Sequence, residues 1–307
     1  MDHASLSALC SMTVTPVLKR TLHWIGNGLA IIGIFFVILR LYRDWHVRDL
    51  SYISLNIWLA VTCLAIFYCF DSFLLAFAWR RILKSLGVDV SHAWSIKIYG
   101  ISQLAKYVPG NVFHIAGRQA LGMSAGIISG GILAKSTGWE IGLISVSGAV
   151  FSWLVLPLLI PFVTLPASIA LILLTIVGLG YILYRFFSFH LFLAFIYQIS
   201  FLLISGGIFV ILLGALVQNE GGEHLQAWIF ICSAYVVAWL VGLVTPGAPA
   251  GVGVRELILL FLLKGLVNDE DLLMAVVLGR ILTFAGDLLF FSLSSFFLMI
   301  KKEIKNE

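Results

Sequence analysis

Residues 190–216 read HLFLAFIYQISFLLISGGIFVILLGAL, and this stretch decides the fold because it contains no Asp, Glu, Lys or Arg. A helix needs about 20 apolar residues to cross the hydrocarbon core of a bilayer, so the stretch predicts a membrane-spanning helix. Comparable runs predict further spans, and the one at 128–160 is long enough to tilt or to break near Pro157 and Pro161. These further runs lie at roughly 22–41, 53–79, 128–160, 167–185, 226–245 and 271–300.

The overall composition excludes a water-soluble domain. Of the 307 residues, 61% are hydrophobic and only 11% are charged, whereas soluble domains carry about 25% charged residues. The net charge is +4, and the basic residues cluster at segment ends, which suits anionic lipid headgroups and gives no nucleic-acid signal. The four cysteines show no paired spacing, so we expect neither a disulfide nor a metal site, and nothing in the sequence calls for a cofactor.

Two further segments lie at roughly 92–126 and 247–266. They are apolar on the whole, but they contain too many polar residues or glycines to be ordinary spans. Backbone that departs from a helix within a membrane must be buried in protein or face water. The sequence therefore predicts an all-α integral membrane protein with about eight membrane segments, of which two are broken or re-entrant helices.

The two broken segments contain copies of one motif. Residues 107–119 read YVPGNVFHIAGRQ, and residues 244–256 read VTPGAPAGVGVRE. Each copy has Pro-Gly, seven residues, Arg, and then Gln or Glu; 246 minus 109 and 255 minus 118 both give an offset of 137. The positions with a backbone role are Pro109, Gly110, Gly117, Pro246, Gly247, Pro249, Gly251 and Gly253.

The motif has a direct physical interpretation. Pro-Gly ends a helix, because proline cannot continue the hydrogen-bond ladder and glycine takes the left-handed turn. The helix that follows begins with unpaired amide donors, which favour an anion. Arg118 and Arg255 lie in its first turns, where a guanidinium adds a bidentate fork for phosphate or carboxylate. Each copy thus has what an anionic-headgroup site at membrane depth needs.

Lys and Arg in short loops set the predicted topology. Lys19 and Arg20, the loop after the second span and the C-terminal tail are basic, whereas loops 217–225 and 267–271 are acidic. Both termini are therefore expected in the cytoplasm, at a plasma or inner membrane; Arg40, Arg43 and Arg48 do not fit this topology. In the predicted topology the halves 92–160 and 226–300 are inverted copies, which is the arrangement of many transporters. One missed membrane crossing would make the two halves parallel instead. We expect a flexible extension at 1–20 and one transmembrane domain at 21–307.

With these residues in view, the sequence resembles the transmembrane region of lysylphosphatidylglycerol synthases, a flippase-like membrane domain. The resemblance rests on Lys106 to Asn111 (KYVPGN) with Arg118 behind it, and on residues 249–256 (PAGVGVRE), and it covers about 25 to 300. It implies movement of an aminoacylated or other lipid across the membrane. Some members carry a soluble synthase domain after this region, and others look tied to cell-envelope glycan pathways. Only seven residues follow the last predicted span here, so we expect translocation without transferase activity.

Charged residues at membrane depth are the candidate site. Each costs about 2.5–3.5 kcal/mol on insertion scales, so each needs a partner or a purpose. Arg118 and Arg255 could bind a lipid phosphate, or each could pair with an acid and only hold the fold together. Arg280 and Asp287 lie two helical turns apart on one face, which predicts a pair through an intermediate group. The candidate substrate-binding residues are Lys106, Asn111, His114, Arg118, Arg255, Glu256 and Arg280, with Lys135, Glu140 and Asp287 as candidate members of charge pairs.

Two other functions stay open at this point. An intramembrane transferase acting on a lipid-linked saccharide would use His114, Glu140 and Glu256 as acid/base groups. A scaffold subunit of an envelope-assembly system would use the arginines only structurally. The tryptophans lie largely near span ends, Trp79 among them, which predicts an interfacial belt and not a stacking site.

Overall fold

The computed structural model describes residues 54–107, 113–126, 128–160, 162–217, 225–245 and 253–303. Within these ranges the chain is helical and contains no β-strand, which confirms the predicted all-α class for this part of the chain. The predicted N-terminal extension and the span at 22–41 lie outside the described residues. So do these motif positions: Pro109, Gly110, Asn111, Pro246, Gly247, Pro249 and Gly251.

Six stretches of the described residues are long and apolar enough to cross a membrane, and they match the predicted spans from 53 onward. The two broken segments form only shorter helices. Together with the composition, these stretches define an all-helical, multi-pass membrane protein. The helices are α1 (Leu55–Ser85), α2 (His92–Gln103), α3 (Phe113–Ser124), α4 (Gly130–Val150), α5 (Ser152–Leu159), α6 (Leu165–Ile182), α7 (Phe189–Leu216), α8 (Leu225–Val244), α9 (Val254–Leu262) and α10 (Asp269–Glu303).

The outer faces of the spans are apolar. Phe67 on α1 and Leu174 and Val177 on α6 are each about two-thirds exposed, and only 22% of the α6 span is buried. A soluble protein rarely exposes contiguous apolar surface of this kind, whereas lipid tails solvate it without penalty. The polar residues are found instead in the interior, where Asp71, Arg118 and Asp287 are buried.

The break in the 128–160 run lies at a different place from the predicted one. Helix α4 ends at Val150 and α5 begins at Ser152, so the interruption falls at Phe151, while Pro157 lies inside α5. The proline ring clashes with the carbonyl group four residues earlier, which is that of Trp153 inside α5, so Pro157 by itself does not place the interruption at Phe151. Helix α5 then ends at Leu159, just before Pro161, which fits the second predicted position.

The core is built around α1 and α10. Helix α1 packs along α7 on one side and along α10 on the other, and α10 also packs against α2. Helices α1 and α10 approach closely at Gly286 of α10, where a Cβ atom would lie 2.7 Å from Cδ1 of Tyr68 and 2.9 Å from the carbonyl oxygen of Ala65. Small residues at such crossings let two membrane helices approach closely.

Gly286→Ala should therefore destabilise the protein by about 1–3 kcal/mol, because the added methyl group meets backbone that cannot move aside. Gly207→Ala is the matched control, since its Cβ would meet nothing within 4 Å. In the control the lower backbone entropy of alanine should raise stability by about 0.5–1 kcal/mol. Thermal unfolding in detergent measures both variants, and equal stability of the two would show that the α1–α10 contact is not tight.

Candidate functional site

Helix α10 carries the centre of the candidate site. Arg280 and Asp287 lie two turns apart on it, about 10.5 Å along the helix axis. Asp287 is fully buried. Each of the two residues is ion-paired with a different broken segment, so α10 connects the two copies of the motif.

The first broken segment reaches Asp287 through a tightened turn. Helix α2 is capped by Ser91, whose hydroxyl accepts from the backbone N–H of Trp94 at 3.2 Å. After Gln103 the chain narrows into a 3-10 turn, Leu104–Tyr107. This turn places Nζ of Lys106 2.6 Å from Oδ2 of Asp287.

The hydroxyl group of Tyr107 donates to the same Asp287 oxygen. The other oxygen, Oδ1, has no hydrogen-bond partner among the described residues. The Asp287 carboxylate therefore receives a cation and a hydroxyl donor on one side only. Lys106 and Asp287 are both predicted site residues, but their spacing in sequence does not predict that they pair.

The second broken segment begins with a glycine that its backbone requires. Gly253 has φ +86°, a conformation that side chains rarely adopt, and it precedes α9. Its N–H donates to Oε2 of Glu256 at 2.7 Å, and the other oxygen of Glu256 pairs with Arg280. The Glu256 carboxylate therefore occupies one of the amide donors at the helix start that we expected to bind an external anion.

Arg255 has a different environment from its neighbour Glu256. Its Cζ lies 4.1 Å from the centroid of the Tyr235 ring, and no carboxylate of the described residues lies within ion-pair distance. Stacking on the ring fixes the guanidinium without neutralising it, because a cation–π contact leaves the positive charge in place. Arg255 therefore keeps a positive charge that no described carboxylate balances.

Tyr68 of α1 is near charged groups of both copies. Nζ of Lys106 lies 6.0 Å from the centroid of its ring. Arg255, Asp71 and Asp287 are all close enough to act electrostatically on its hydroxyl group. Both broken segments therefore direct a basic side chain toward one buried region beside α1 and α10.

Arg118 belongs to a separate and closed network. It is 4% exposed and pairs with Glu140 of α4, and its Nε donates to the hydroxyl group of Ser102 at 3.4 Å. Its Cζ lies 3.7 Å from the centroid of the Tyr99 ring, while the Tyr99 hydroxyl donates to Oε1 of Glu140 at 2.9 Å. These contacts favour the structural alternative for Arg118, that it holds α3 against α2 and α4.

Trp79 borders this network. It is 1% exposed and stacks on Trp94 with ring centroids 5.7 Å apart, and its indole N–H donates to the Ser136 hydroxyl at 3.3 Å. Arg118 lies 5.5 Å from its ring centroid. Trp79 therefore packs against other residues of the protein, where its N–H has a buried acceptor. Its predicted position at the membrane interface stays a prediction.

The remaining predicted residues are placed as follows. His114 is half-buried, its Nδ1 has no hydrogen-bond partner among the described residues, and Arg118 and Lys106 both act on it electrostatically. Lys135 is exposed and enters no ion pair within the described ranges. A Cβ atom added at Gly117 would lie 4.0 Å from Cβ of Ser102. The pair between Arg280 and Asp287 through an intermediate group stays a prediction.

Four tyrosines complete the site, and sequence reasoning missed all of them. They orient the charged groups by hydrogen bonds or ring stacking. Tyr99 and Tyr107 do lie in the first broken segment, and this position in the sequence could have indicated them as site residues. In a chain with 23 Phe and 9 Tyr, however, an aromatic residue in an apolar segment is not distinctive. The four are Tyr68, Tyr99, Tyr107 and Tyr235.

No protein-family model and no curated protein matches this chain. The resemblance to the transmembrane region of lysylphosphatidylglycerol synthases therefore stays a prediction that rests on the motif residues. What the fold and the site define is a class: a multi-pass membrane protein, helical in its described part, with ion pairs that join α10 to each of its two broken segments.

Proposed function

We propose that this protein moves an anionic lipid, either a phospholipid or a lipid-linked saccharide, between the leaflets of a plasma or inner membrane. The observation that carries the proposal is that α10 pairs with both broken segments in opposite polarity. Its Asp287 takes a base from the first segment, and its Arg280 takes an acid from the second. In this proposal about eight membrane segments form two inverted halves, at 92–160 and 226–300, with cytoplasmic termini.

The site is suited to a negatively charged headgroup. Arg255 offers a guanidinium that no described carboxylate neutralises, and Lys106 approaches from the other segment. A headgroup phosphate would bridge Arg255 and Lys106 and compete with Asp287 for the lysine. An arginine fork beside a lysine gives both directional and simple Coulombic attraction to phosphate.

Ion pairs of this kind can switch the position of the broken segments. Removing one partner of a buried pair leaves an uncompensated charge, at about 3–5 kcal/mol. A lipid that takes Lys106 from Asp287 therefore makes the resting arrangement of the first segment unfavourable. The second pair, Glu256 with Arg280, holds the other segment to the same helix. Movement of one segment relative to α10 would expose the headgroup site alternately to the two leaflets.

Reconstitution of the purified chain with fluorescent phosphatidylglycerol tests the proposal. The assay follows both the leaflet and the chemical identity of the labelled lipid, with and without an unlabelled lipid-linked saccharide. We expect faster exchange between leaflets than in protein-free vesicles, with the lipid recovered chemically unchanged. A modified lipid without accelerated exchange would instead identify an intramembrane transferase.

The scaffold alternative draws specific support from the Arg118 network, whose donors and acceptors satisfy one another within the protein. In that alternative the chain would organise envelope-biosynthesis enzymes and the Lys106 and Arg255 charges would serve only the fold. Exchange that survives replacement of both residues would favour it.

A further inference from the structure

Asp287 has an unusual environment for an ionised group. Its side chain is 0% exposed, one oxygen receives both Lys106 and Tyr107, and the other oxygen has no hydrogen-bond partner among the described residues. Buried polar groups are normally hydrogen-bonded, and an exception calls for an explanation. A carboxyl group that accepts a proton at the free oxygen is one such explanation.

Each helix packed against α10 places different groups near Asp287. From α1 come Tyr68, Cys69 and, beyond Tyr68, Asp71; from the 3-10 turn come Lys106 and Tyr107. Helix α9 contributes Glu256, which is ion-paired with Arg280. It also contributes Arg255, whose positive charge acts electrostatically on the Tyr68 hydroxyl group.

The other two neighbours of α10 each approach it at a glycine. Helix α2 contacts it at Gly100 beside Ser294, and α7 contacts it at Gly279 beside Phe209 and Leu212. Among the described groups, Lys106 is therefore the only cation in ion-pair contact with Asp287.

The charge balance changes when Lys106 leaves. An ionised carboxylate buried without a partner is so unfavourable that the group takes up a proton instead. The proton adds to an Asp287 oxygen from a hydronium ion of the aqueous phase, which becomes water. The reverse step returns the proton when Lys106 comes back, so no other co-reactant is needed.

We propose, on the basis of the function proposed above, that Asp287 is a proton-binding site that is loaded when an anionic headgroup takes Lys106. Lipid binding and proton uptake are then linked, and acid favours the lipid-bound state. Asp71 is a second buried carboxylate near Tyr68, with both oxygens lacking hydrogen-bond partners among the described residues.

The test uses the purified full chain in neutral detergent micelles with fluorescent phosphatidylglycerol, and a pH-sensitive dye reports proton uptake on lipid addition. We expect the wild type to take up protons as it binds lipid and to bind more tightly as pH falls, by up to about tenfold per pH unit. Asp287→Asn should bind the lipid without proton uptake and with a flat pH profile. Replacing sodium by choline in the buffer should change nothing, since a sodium-dependent result would overturn a proton site.

Two further variants keep the test decisive if Asp287→Asn does not fold. Lys106→Gln should show no uptake, because the lipid then has no lysine to take from Asp287. Asp89→Asn is the matched control: Asp89 is an exposed carboxylate beyond α1 that pairs with Lys84 at 2.7 Å, and this bond lowers the pKa of its carboxyl group. Its replacement should leave the uptake on lipid binding at the wild-type value.

The outcomes separate the two proposals. Wild-type protein that binds and exchanges lipid without taking up protons overturns the proton site and leaves the translocase standing. Folded Asp287→Asn protein that keeps the wild-type uptake, or that no longer binds lipid, also overturns the proton site. Wild-type protein that neither binds nor exchanges the lipid overturns both proposals.

Discussion

Replacing Arg118 by alanine should lower the free energy of unfolding by about 3–5 kcal/mol, because it leaves the Glu140 carboxylate uncompensated inside the protein. The variant removes the ion pair, the contact with Ser102 and the stacking on Tyr99 at once. Unfolding of the purified protein in mixed micelles, followed by tryptophan fluorescence, measures the loss.

Two controls show whether the buried network is responsible. Arg80→Ala removes an arginine whose partner Asp89 is exposed, at 3.1 Å, and a pair with an exposed carboxylate contributes only about 0–1 kcal/mol. The variant also loses the hydrogen bond that Nε of Arg80 donates to the carbonyl group of Val90 at 2.7 Å. Adding Glu140→Gln to Arg118→Ala removes the orphaned charge and should recover part of the loss. If Arg118→Ala were as stable as Arg80→Ala, the Arg118 network would not hold the fold, and its binding role would regain weight.

Replacing Arg255 by alanine should weaken the binding of fluorescent phosphatidylglycerol at least about tenfold, since a charge-assisted hydrogen bond contributes about 1.5–3 kcal/mol. Folding stability should change far less than in Arg118→Ala. Arg255 is paired with no described carboxylate, so its removal leaves no buried anion behind. Titration of the lipid into the purified variant measures the dissociation constant.

Arg255→Lys is the matched variant, because it keeps the charge and loses the planar fork and the stacking on Tyr235. We expect an intermediate affinity for the anionic lipid and little effect on binding of a zwitterionic analogue. An unchanged affinity in Arg255→Ala, together with a large loss of stability, would mean that Arg255 serves the fold and not a ligand.

The spans could be predicted from sequence because membrane crossing depends on local composition. Each of the six described spans is an apolar run of sufficient length, and hydrocarbon offers such a run no competing conformation. The broken segments could be recognised because their polar residues, prolines and glycines interrupt the apolar pattern. Gly253, before α9, takes the positive φ that glycine allows.

The pairing within the site could not be predicted, because it depends on contacts distant in sequence. Tyr107 and Asp287 are 180 residues apart. One sequence shows that Lys106, Asp287, Glu256 and Arg280 each need a partner at membrane depth, but it does not show which partner. Only the packing of α10 between the two broken segments decides that Asp287 takes Lys106 and that Arg280 takes Glu256.

The break at Phe151 shows a similar limit within one helix. The sequence marks Pro157 as the expected place of a break, but the interruption lies six residues before it. That position depends on packing, and both Val150 and Phe151 are buried at the junction.

Leaflet exchange in reconstituted vesicles tests the central claim most directly. Fluorescent phosphatidylglycerol in phosphatidylcholine vesicles is quenched from outside, and the wild type is compared with the double variant Lys106→Ala, Arg255→Ala at equal incorporation. The double variant Arg80→Ala, Lys84→Ala is the control, because it removes two basic residues whose shared partner is the exposed Asp89. We expect exchange in the wild type and the control and its loss in the Lys106, Arg255 variant. Equal exchange in all three, or none in the wild type, would contradict the account.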